Sequence, residues 1–354
     1  MLKINFIRRS FRFDGGAEVA ANSYINALSE LGELQLICES WAGDVLSRIG
    51  LHELGVQGYT RAKRYSNFIS TASILASSQN AITHSHEWVP GSDILRLGDG
   101  LHSEWLDLID MPKYKKLLDP FHRTKLRLEK ESLEHNNLKA VITNSEMIKA
   151  SLLDRYDLEE NNIKVVRNIL SNKYINYELD ENARDPFKLI FVGSGWYRKG
   201  LIFALRTLSF LPKEWTLDVI GSDSNRSKYV DSAKKLNISH RVNFLGSVRV
   251  TPEFYARASI LIHPAIYEPF PNVAMEALSQ GAAIVTTHSC GASDFSTEYG
   301  VWSGEREPEA LAGLVKEAAK SLNFNRLKIM TNFRKYNSSY LAKELKDIYS
   351  ILNS

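Results

Sequence analysis

The chain has 354 residues, of which 44% are hydrophobic and 24% are charged. This length suits about two globular domains, and the composition excludes a disordered chain. The formal net charge of +3 is too small to indicate nucleic acid as a partner. Two cysteines, Cys38 and Cys290, are too few for a disulfide framework or a cysteine-rich metal site, which favours a reducing, cytoplasmic location. No apolar run approaches the ~18 residues of a membrane-spanning helix, and the charged start of the chain predicts a strand rather than a signal peptide.

The first half of the chain predicts a strand at 2–7, a loop to Gly16 and a helix over 17–31. Further strands are predicted at 34–38, 81–84, 94–97 and 140–143, and a helix at 122–136. The second half alternates more regularly, with strands at 187–192, 215–220, 241–245, 259–263 and 283–287 and helices near 200–210, 226–236, 252–257 and 272–280. Strands separated by helices form parallel βαβ units. We therefore predict an α/β protein with two Rossmann-like parallel-sheet domains facing a central cleft.

The predicted domain boundaries follow the same pattern. Residues 1–168 form the first domain, the polar segment 169–186 is the linker, and residues 187–330 form the second domain. Residues 331–354 are predicted to be helical and to cross back to the first domain.

Three sequence motifs carry candidate chemistry. Gly15 and Gly16 lie between the first strand and the first helix, where the backbone could approach a ligand closely, although a plain tight loop is the alternative. Arg198 and Lys199 open a helix after Gly193, where they oppose the helix dipole but suit a diphosphate; a solvated cation pair is the alternative.

The third motif is the segment EPFPNVAME at 268–276. Glu268 lies in a loop and Glu276 in the next helix, so both carboxylates can face one ligand. The amides around Phe270–Val273 start that helix and suit a negatively charged or polyhydroxyl group. Carboxylates accept hydrogen bonds from vicinal hydroxyls, which favours a sugar or ribose. An acidic first turn that merely complements the dipole is the alternative.

Together these motifs resemble the retaining nucleotide-sugar glycosyltransferases of family 4, which have the GT-B fold. The segments at 40–44, 89–93 and 96–106 narrow the resemblance to lipopolysaccharide core enzymes that add a hexose to heptose. The resemblance implies that Glu276 binds the donor ribose and that Glu268 binds the transferred sugar and supports its charge. It also implies that the backbone around Phe270, Asn272 and Val273 contacts sugar and diphosphate, and that Lys199 contacts the diphosphate.

The same resemblance implies roles for the remaining positions. Gly15 and Gly16 match the loop that closes over the diphosphate, and Gly246 and Val248 lie where the base rests. The usual arginine after the strand-end glycine is Ser194 here, and whether Arg198 replaces it stays open.

The resemblance also points to an acceptor side in the first domain. Many members place a histidine after a strand in the middle of this domain, and the nearest equivalent here is Asp99, with His102 close by. Asp99 is therefore the candidate catalytic residue beside the acceptor hydroxyl, although an Asp between two glycines is also a good turn former. His84 and His86 could line the acceptor side, but two ligands at a strand end are too few for a metal.

No Asp-x-Asp motif occurs in the chain. We therefore expect no metal cofactor, with backbone amides and cations stabilising the leaving diphosphate. The resemblance implies transfer with retention, in which a donor diphosphate oxygen helps to deprotonate the acceptor.

The segment 113–130 contains seven basic and two acidic residues with interleaved leucines. It predicts either a solvated helix face or a surface that docks on an anionic membrane leaflet.

The sequence thus predicts a transferase that moves glucose or N-acetylglucosamine from a UDP-sugar to a heptose of a lipopolysaccharide-type acceptor. We expect the protein to be cytoplasmic or peripheral to the membrane. The alternatives are a UDP-sugar epimerase of the same fold and a non-catalytic nucleotide-sugar binding protein.

Overall fold

The computed structural model describes residues 2–11, 16–42, 47–109, 111–178 and 184–352. It divides the chain into two compact units, and each is described by itself. Unit 1 comprises Met1–Ile169 and Ser338–Ser354, and unit 2 comprises Leu170–Asn337.

The described strands are β1 (Leu2–Ile7), β2 (Ser10–Phe11), β3 (Gly32–Cys38), β4 (Ser40–Trp41), β5 (Gly50–Glu53), β6 (Ile82–Ser85), β7 (Ile94–Leu97), β8 (Ala140–Thr143), β9 (Ile163–Val165), β10 (Lys188–Val192), β11 (Thr216–Ile220), β12 (Val242–Gly246), β13 (Ile260–His263), β14 (Ala283–Thr287) and β15 (Val301–Gly304). The described helices are α1 (Gly16–Leu31), α2 (Arg61–Ser77), α3 (His102–Leu108), α4 (Lys113–Leu118), α5 (Pro120–Leu133), α6 (Glu146–Arg155), α7 (Asn172–Ile175), α8 (Trp196–Lys199), α9 (Leu201–Ser209), α10 (Arg226–Lys235), α11 (Pro252–Arg257), α12 (Asn272–Ser279), α13 (Pro308–Arg334) and α14 (Ser338–Leu352).

Unit 1 is built on a parallel sheet with the order β5-β3-β1-β6-β7-β8-β9, and the short strands β2 and β4 pair separately. The central strand β1 pairs with β3 from Leu2↔Gly32 to Ile7↔Ile37, in one unbroken register. Its last four residues are buried, as expected for a parallel strand covered on both faces. Helices α1 and α14 pack together over one face, where Leu341 and Leu345 join Leu28 in the core.

Unit 2 is built on a second parallel sheet with the order β12-β11-β10-β13-β14-β15. The order reverses direction between β10 and β13, and ligands of such sheets bind beyond the carboxyl ends of the strands at this switch point. The core of unit 2 includes Trp196, Phe191 and Phe333, all of which are fully buried.

The boundaries of the units differ in detail from the predicted ones. Part of the segment predicted as a linker, 169–186, is helix α7, and its Tyr174 is buried in the core of unit 2. Residues 331–334 continue α13 within unit 2, whereas α14 packs within unit 1. The two parallel-sheet, Rossmann-like units confirm the predicted α/β class. None of the described helices is long and apolar enough to cross a membrane.

Candidate active site

Three glycines mark the ends of neighbouring strands in unit 2. Gly193 follows β10, Gly221 follows β11, and Gly246 ends β12, with φ angles of 129°, 117° and 72°. L-residues rarely adopt such angles. The Gly221 amide donates to the Gly246 carbonyl at 2.8 Å, and a Cβ at Gly221 would collide with the Gly193 carbonyl. These glycines give the carboxyl edge of the sheet a bare backbone that a ligand can approach, with the half-exposed Val248 just beyond.

Helix α8 carries Arg198 and Lys199 and begins directly after Gly195. The Arg198 carbonyl accepts a hydrogen bond from the Ile266 amide at 2.8 Å, which ties α8 to the segment after β13. A Cβ at Gly200 would collide with the Pro264 carbonyl, so the two segments pack backbone to backbone. This packing fixes both cations beside the loop that contains Glu268.

Glu268 is a nearly buried carboxylate with a fixed backbone. Its amide donates to Ser289 and its carbonyl accepts from Gly291, and its side chain is 13% exposed. Nη1 of Arg198 lies 2.7 Å from Oε2 of Glu268 and also donates to the Tyr267 carbonyl at 3.1 Å. Although burial raises the pKa of Glu268, the nearby positive charges of Arg198 and Lys199 and the neighbouring His263 lower it below its ordinary value. The Glu268 side chain is therefore ionised at neutral pH.

Lys199 is the second cation of this cluster and is differently placed. Its ammonium lies under Gly193, where any Cβ would collide with Nζ, and within the described chain it has no carboxylate within 4 Å. Burial lowers its pKa, while the charge of Glu268 opposes this shift. Arg198 is thus bound to protein oxygens, whereas Lys199 keeps its donors available to a ligand.

Glu276 lies in α12, and its carboxylate accepts hydrogen bonds from tyrosine hydroxyls. Its Oε2 accepts a hydrogen bond from the Tyr255 hydroxyl at 2.7 Å, and Tyr174 also hydrogen-bonds to it. Burial raises the pKa of Glu276, and the two tyrosine hydroxyls oppose that rise. The second carboxylate is therefore held by neutral donors.

The start of α12 lies between the two carboxylates. Pro271 occupies the cap position and provides no side-chain cap, and Asn272 and Val273 are half-buried in the first turn. The Phe270 side chain points into the core against Phe295, with ring centroids 6.2 Å apart. Only the backbone of Phe270 is consequently suited to a ligand.

Sequence reasoning missed three residues of this cluster. Tyr255 and Tyr174 bind Glu276, and His263 is fully buried with its Nε2 3.7 Å from Oε2 of Glu268. His263 is the last residue of β13, at the switch point of the sheet. Its position at this strand end could have identified it from the sequence. Tyr174 gave no such signal because it lies in a polar segment.

In unit 1, Asp99 and His102 occupy the loop after β7 and the start of α3. Asp99 is exposed between Gly98 and Gly100, while His102 is half-buried. Nε2 of His102 lies 3.0 Å from Nδ1 of His122. Both residues are thus near the end of a parallel strand, with Asp99 open to solvent.

His84 and His86 are buried, so the structure contradicts the prediction that they line the acceptor side. His84 has no exposed surface and its Nδ1 lies 3.0 Å from the Tyr349 hydroxyl, while His86 packs edge-on against Phe6 and Tyr24. Burial lowers the pKa of His84 to about 3. A bulky acceptor cannot reach rings enclosed in the core of unit 1, so both histidines are core residues in this structure.

Two sequence predictions concern the N-terminal loop and metal binding. Gly15 lies outside the described residues, and Gly16 begins α1. Among the described side chains, no group of three His, Cys, Asp or Glu residues is arranged to hold a metal ion.

Comparisons with known proteins cover nearly the whole chain. Residues 14–171 match the family model described as Glycosyltransferase Family 4, and residues 178–336 match the model described as Glycosyl transferases group 1. The solved structure of WaaG, a glycosyltransferase involved in lipopolysaccharide biosynthesis, aligns with a TM-score of 0.79 at 20% identity over 98% of this chain and 99% of that one. Anabaena HepE in complex with UDP-glucose aligns with a TM-score of 0.70 at 16% identity over the full length of both chains.

Relatives are also found by sequence. The chain is 27% identical over 233 residues to an uncharacterized glycosyltransferase of Methanocaldococcus jannaschii, covering 60% of each protein. It is 29% identical over 169 residues to the lipopolysaccharide glucosyltransferase WaaG of Escherichia coli, covering 46% of this chain and 43% of the relative. The matches therefore span less than two thirds of these relatives. With a family 4 domain in unit 1, a group 1 domain in unit 2 and the GT-B fold, the chain belongs to the GT-B glycosyltransferases and is related to enzymes of lipopolysaccharide biosynthesis.

Proposed function

We propose that this protein is a retaining, metal-independent glycosyltransferase that moves a hexose from a UDP-sugar to a heptose of a lipopolysaccharide-type acceptor. The observation that carries the proposal is the cluster of Glu268, Arg198 and Lys199 at the switch point of unit 2, in which an ionised carboxylate lies beside a cation with free donors. Relatives support the substrates: solved neighbours contain UDP or UDP-glucose, and one relative is a lipopolysaccharide glucosyltransferase.

The two carboxylates have different tasks in this proposal. Glu276 accepts hydrogen bonds from the ribose hydroxyls, and its tyrosine partners fix its orientation. Glu268 accepts hydrogen bonds from the transferred sugar and stabilises the positive charge that develops on it as the bond to the diphosphate breaks. The Arg198 ion pair keeps Glu268 ionised for that purpose.

Lys199 and the backbone around Asn272 and Val273 stabilise the leaving diphosphate. In this proposal Arg198 holds Glu268 rather than the diphosphate, since its Nη1 donates to Glu268 and to the Tyr267 carbonyl. Asp99 of unit 1 contacts the acceptor hydroxyl that attacks the donor. The proton of that hydroxyl passes to an oxygen of the donor diphosphate. EDTA should leave the rate unchanged; loss of transfer in EDTA and rescue by Mg²⁺ would contradict the metal-independent step.

The transferase is tested by UDP release from UDP-glucose and UDP-N-acetylglucosamine, with and without a deacylated lipopolysaccharide core truncated at heptose. We expect release to require the acceptor and to be lost in Glu268→Ala and Glu276→Ala. Glu253→Ala is the matched control, because Glu253 is an exposed carboxylate of unit 2 paired with Arg257. Retention is read from the anomeric configuration of the product by NMR.

Other outcomes of this experiment would reassign the protein. Interconversion of UDP-sugars without UDP release would indicate an epimerase. Tight UDP binding by calorimetry with neither reaction would indicate a binding protein.

We also propose that the basic segment 113–130 contacts an anionic membrane. It contains α4 and most of α5, where Tyr114 and Leu118 are 60% and 70% exposed beside the exposed Lys115. Lys116 instead donates to the Ile109 carbonyl at 3.0 Å, so it serves the fold. We expect co-sedimentation with phosphatidylglycerol vesicles to fall in a Lys115→Glu/Leu118→Ser variant; equal binding to neutral vesicles would refute this contact.

A further inference from the structure

A cluster of cations and aromatic rings lies in unit 1 where α2, α3 and α5 begin. The Phe121 ring is at its centre, with the Arg61 guanidinium 3.8 Å and the Lys125 ammonium 5.9 Å from its centroid. The Tyr65 ring lies 5.9 Å from that of Phe121 and also contacts Lys125, at 4.9 Å. Two cations from separate helices are therefore held on the same pair of rings.

Arg61 and Lys125 have no counterion in the part of the chain that the structure describes. Among the described residues neither has a carboxylate within 4 Å or a hydrogen bond to protein. On the same two helices, Arg64 pairs with Glu39, and Arg127 pairs with Glu131 at 2.7 Å. Two positive charges held on the same pair of rings repel, and an anion that binds to both offsets that repulsion.

The histidine pair completes the same surface. Nε2 of His102 lies 3.0 Å from Nδ1 of His122, and the His122 ring lies 6.3 Å from that of Phe121. Burial, together with the charges of Lys125, His122 and Arg61, lowers the pKa of His102 to about 4. Two acids lie close to this surface, and both bind backbone amides. The Asp119 carboxylate accepts from the Phe121 amide at 2.7 Å and caps α5, and the buried Glu129 carboxylate accepts from the amides of His102 and Ser103. The contact between the rings uses Nε2 of His102 and Nδ1 of His122, so one nitrogen of each ring is left for a ligand.

We propose that Arg61, Lys125 and the His102–His122 pair form a subsite for a phosphate monoester carried by the acceptor. A phosphate monoester carries a charge of about −1.5 to −2 at neutral pH, which matches the two unpaired cations, and its oxygens accept from guanidinium, ammonium and imidazole donors. His102 of this subsite lies three residues beyond Asp99 in the chain, next to the loop assigned to the acceptor hydroxyl. As a statement about the acceptor it rests on the proposed transferase function, but the anion site itself does not.

The first test is a titration of the whole protein with inorganic phosphate, followed by NMR of ¹³Cε1-labelled histidines, with sodium chloride at matched ionic strength as reference. We expect a saturable shift of the His102 and His122 resonances with phosphate only. Arg61→Gln and Lys125→Gln should each weaken binding by about tenfold, the usual loss for a charged hydrogen bond.

Matched controls separate a built site from general electrostatics. Arg64→Gln and Arg127→Gln remove the same charge from the same helices but from cations that already have partners, and they should bind phosphate like the wild type. Equal weakening in all four variants, or an equal response to chloride, would overturn the proposal. Circular dichroism establishes that the variants are folded, and Lys125→Arg should restore binding.

The source of the phosphate is tested separately. Treating the acceptor with alkaline phosphatase should raise its KM in the wild type and leave the KM of Arg61→Gln unchanged. If the cluster binds phosphatidylglycerol vesicles but not inorganic phosphate, the cations serve a membrane and the proposal fails. The UDP affinity of Arg61→Gln, measured by calorimetry, should equal that of the wild type. A loss of UDP binding therefore reports on the donor site, and a loss of phosphate binding reports on this subsite.

Discussion

The two carboxylates of unit 2 are eight residues apart in the chain, yet their surroundings are opposite. Glu268 is bound by a guanidinium and lies near an ammonium, and its pKa is lowered. Glu276 is bound by two phenol hydroxyls, and its pKa is raised by burial. Charged partners favour the ionised form of an acid more strongly than neutral donors do, so similar burial has different consequences.

The difference separates two kinds of function within one motif. A permanently ionised Glu268 suits a residue that must stabilise positive charge during bond breaking. Glu276 needs only to accept hydrogen bonds from neutral hydroxyls, for which a fixed orientation matters more than a guaranteed charge. Substitutions at Glu268 should therefore affect the chemical step, and those around Glu276 should affect donor binding.

The largest effect is expected for Glu268→Gln. The amide keeps the size of the side chain but removes its charge, so kcat should fall by about 10²–10³, as for loss of one preorganised electrostatic group. UDP affinity, measured by calorimetry, should change little. A variant that loses UDP affinity but retains kcat would place Glu268 in donor binding and break the distinction.

Arg198→Gln should have the next largest effect. Without the guanidinium the pKa of Glu268 rises, so the acidic limb of the pH–rate profile should move to higher pH and kcat should fall by about tenfold. Arg257→Gln is the control, because its pair with Glu253 is exposed and such pairs contribute little. An increase in donor KM alone would instead mean that Arg198 contacts the diphosphate.

Sequence patterns predicted the regular parts of this fold well. Strands such as Ala283–Thr287 are short β-rich runs that alternate with helical segments such as Pro252–Arg257, and the glycines after β10 and β11 mark the ligand edge of the sheet. The short strand β5 was missed because its residues alternate only weakly between buried and exposed. Segment 172–175 was assigned to a linker because its composition is polar, although it folds as α7.

The partners within the site could not be predicted in the same way. Arg198 and Glu268 are 70 residues apart, and their ion pair depends on the contact between α8 and the segment after β13. Likewise, Tyr174 reaches Glu276 only because α7 packs on α12. Local pattern indicates which residues end strands, whereas pairs of this kind are determined by packing between elements.

A smaller effect is expected for Tyr255→Phe. Loss of one hydroxyl removes a single hydrogen bond to Glu276, which should weaken UDP binding by about fivefold. Tyr229→Phe is the control, because Tyr229 is also buried in unit 2 but packs against Trp196. Both variants should retain kcat, and a large fall in kcat for Tyr255→Phe would contradict a role in binding alone.

The smallest effect is the pH dependence of donor binding. UDP-glucose keeps a constant charge over the weakly acidic range, so its affinity reports on the protein. As the pH falls towards the raised pKa of Glu276, the carboxylate takes up a proton and ceases to accept two hydroxyl hydrogen bonds, while Glu268 stays ionised. The affinity should fall by about twofold when the pH reaches that pKa, because half of the sites are then protonated. Calorimetry at several pH values measures this fall, and Glu276→Gln should bind weakly at every pH. If Glu276→Gln keeps the pH dependence of the wild type, another group titrates and the two carboxylates do not differ in the way proposed.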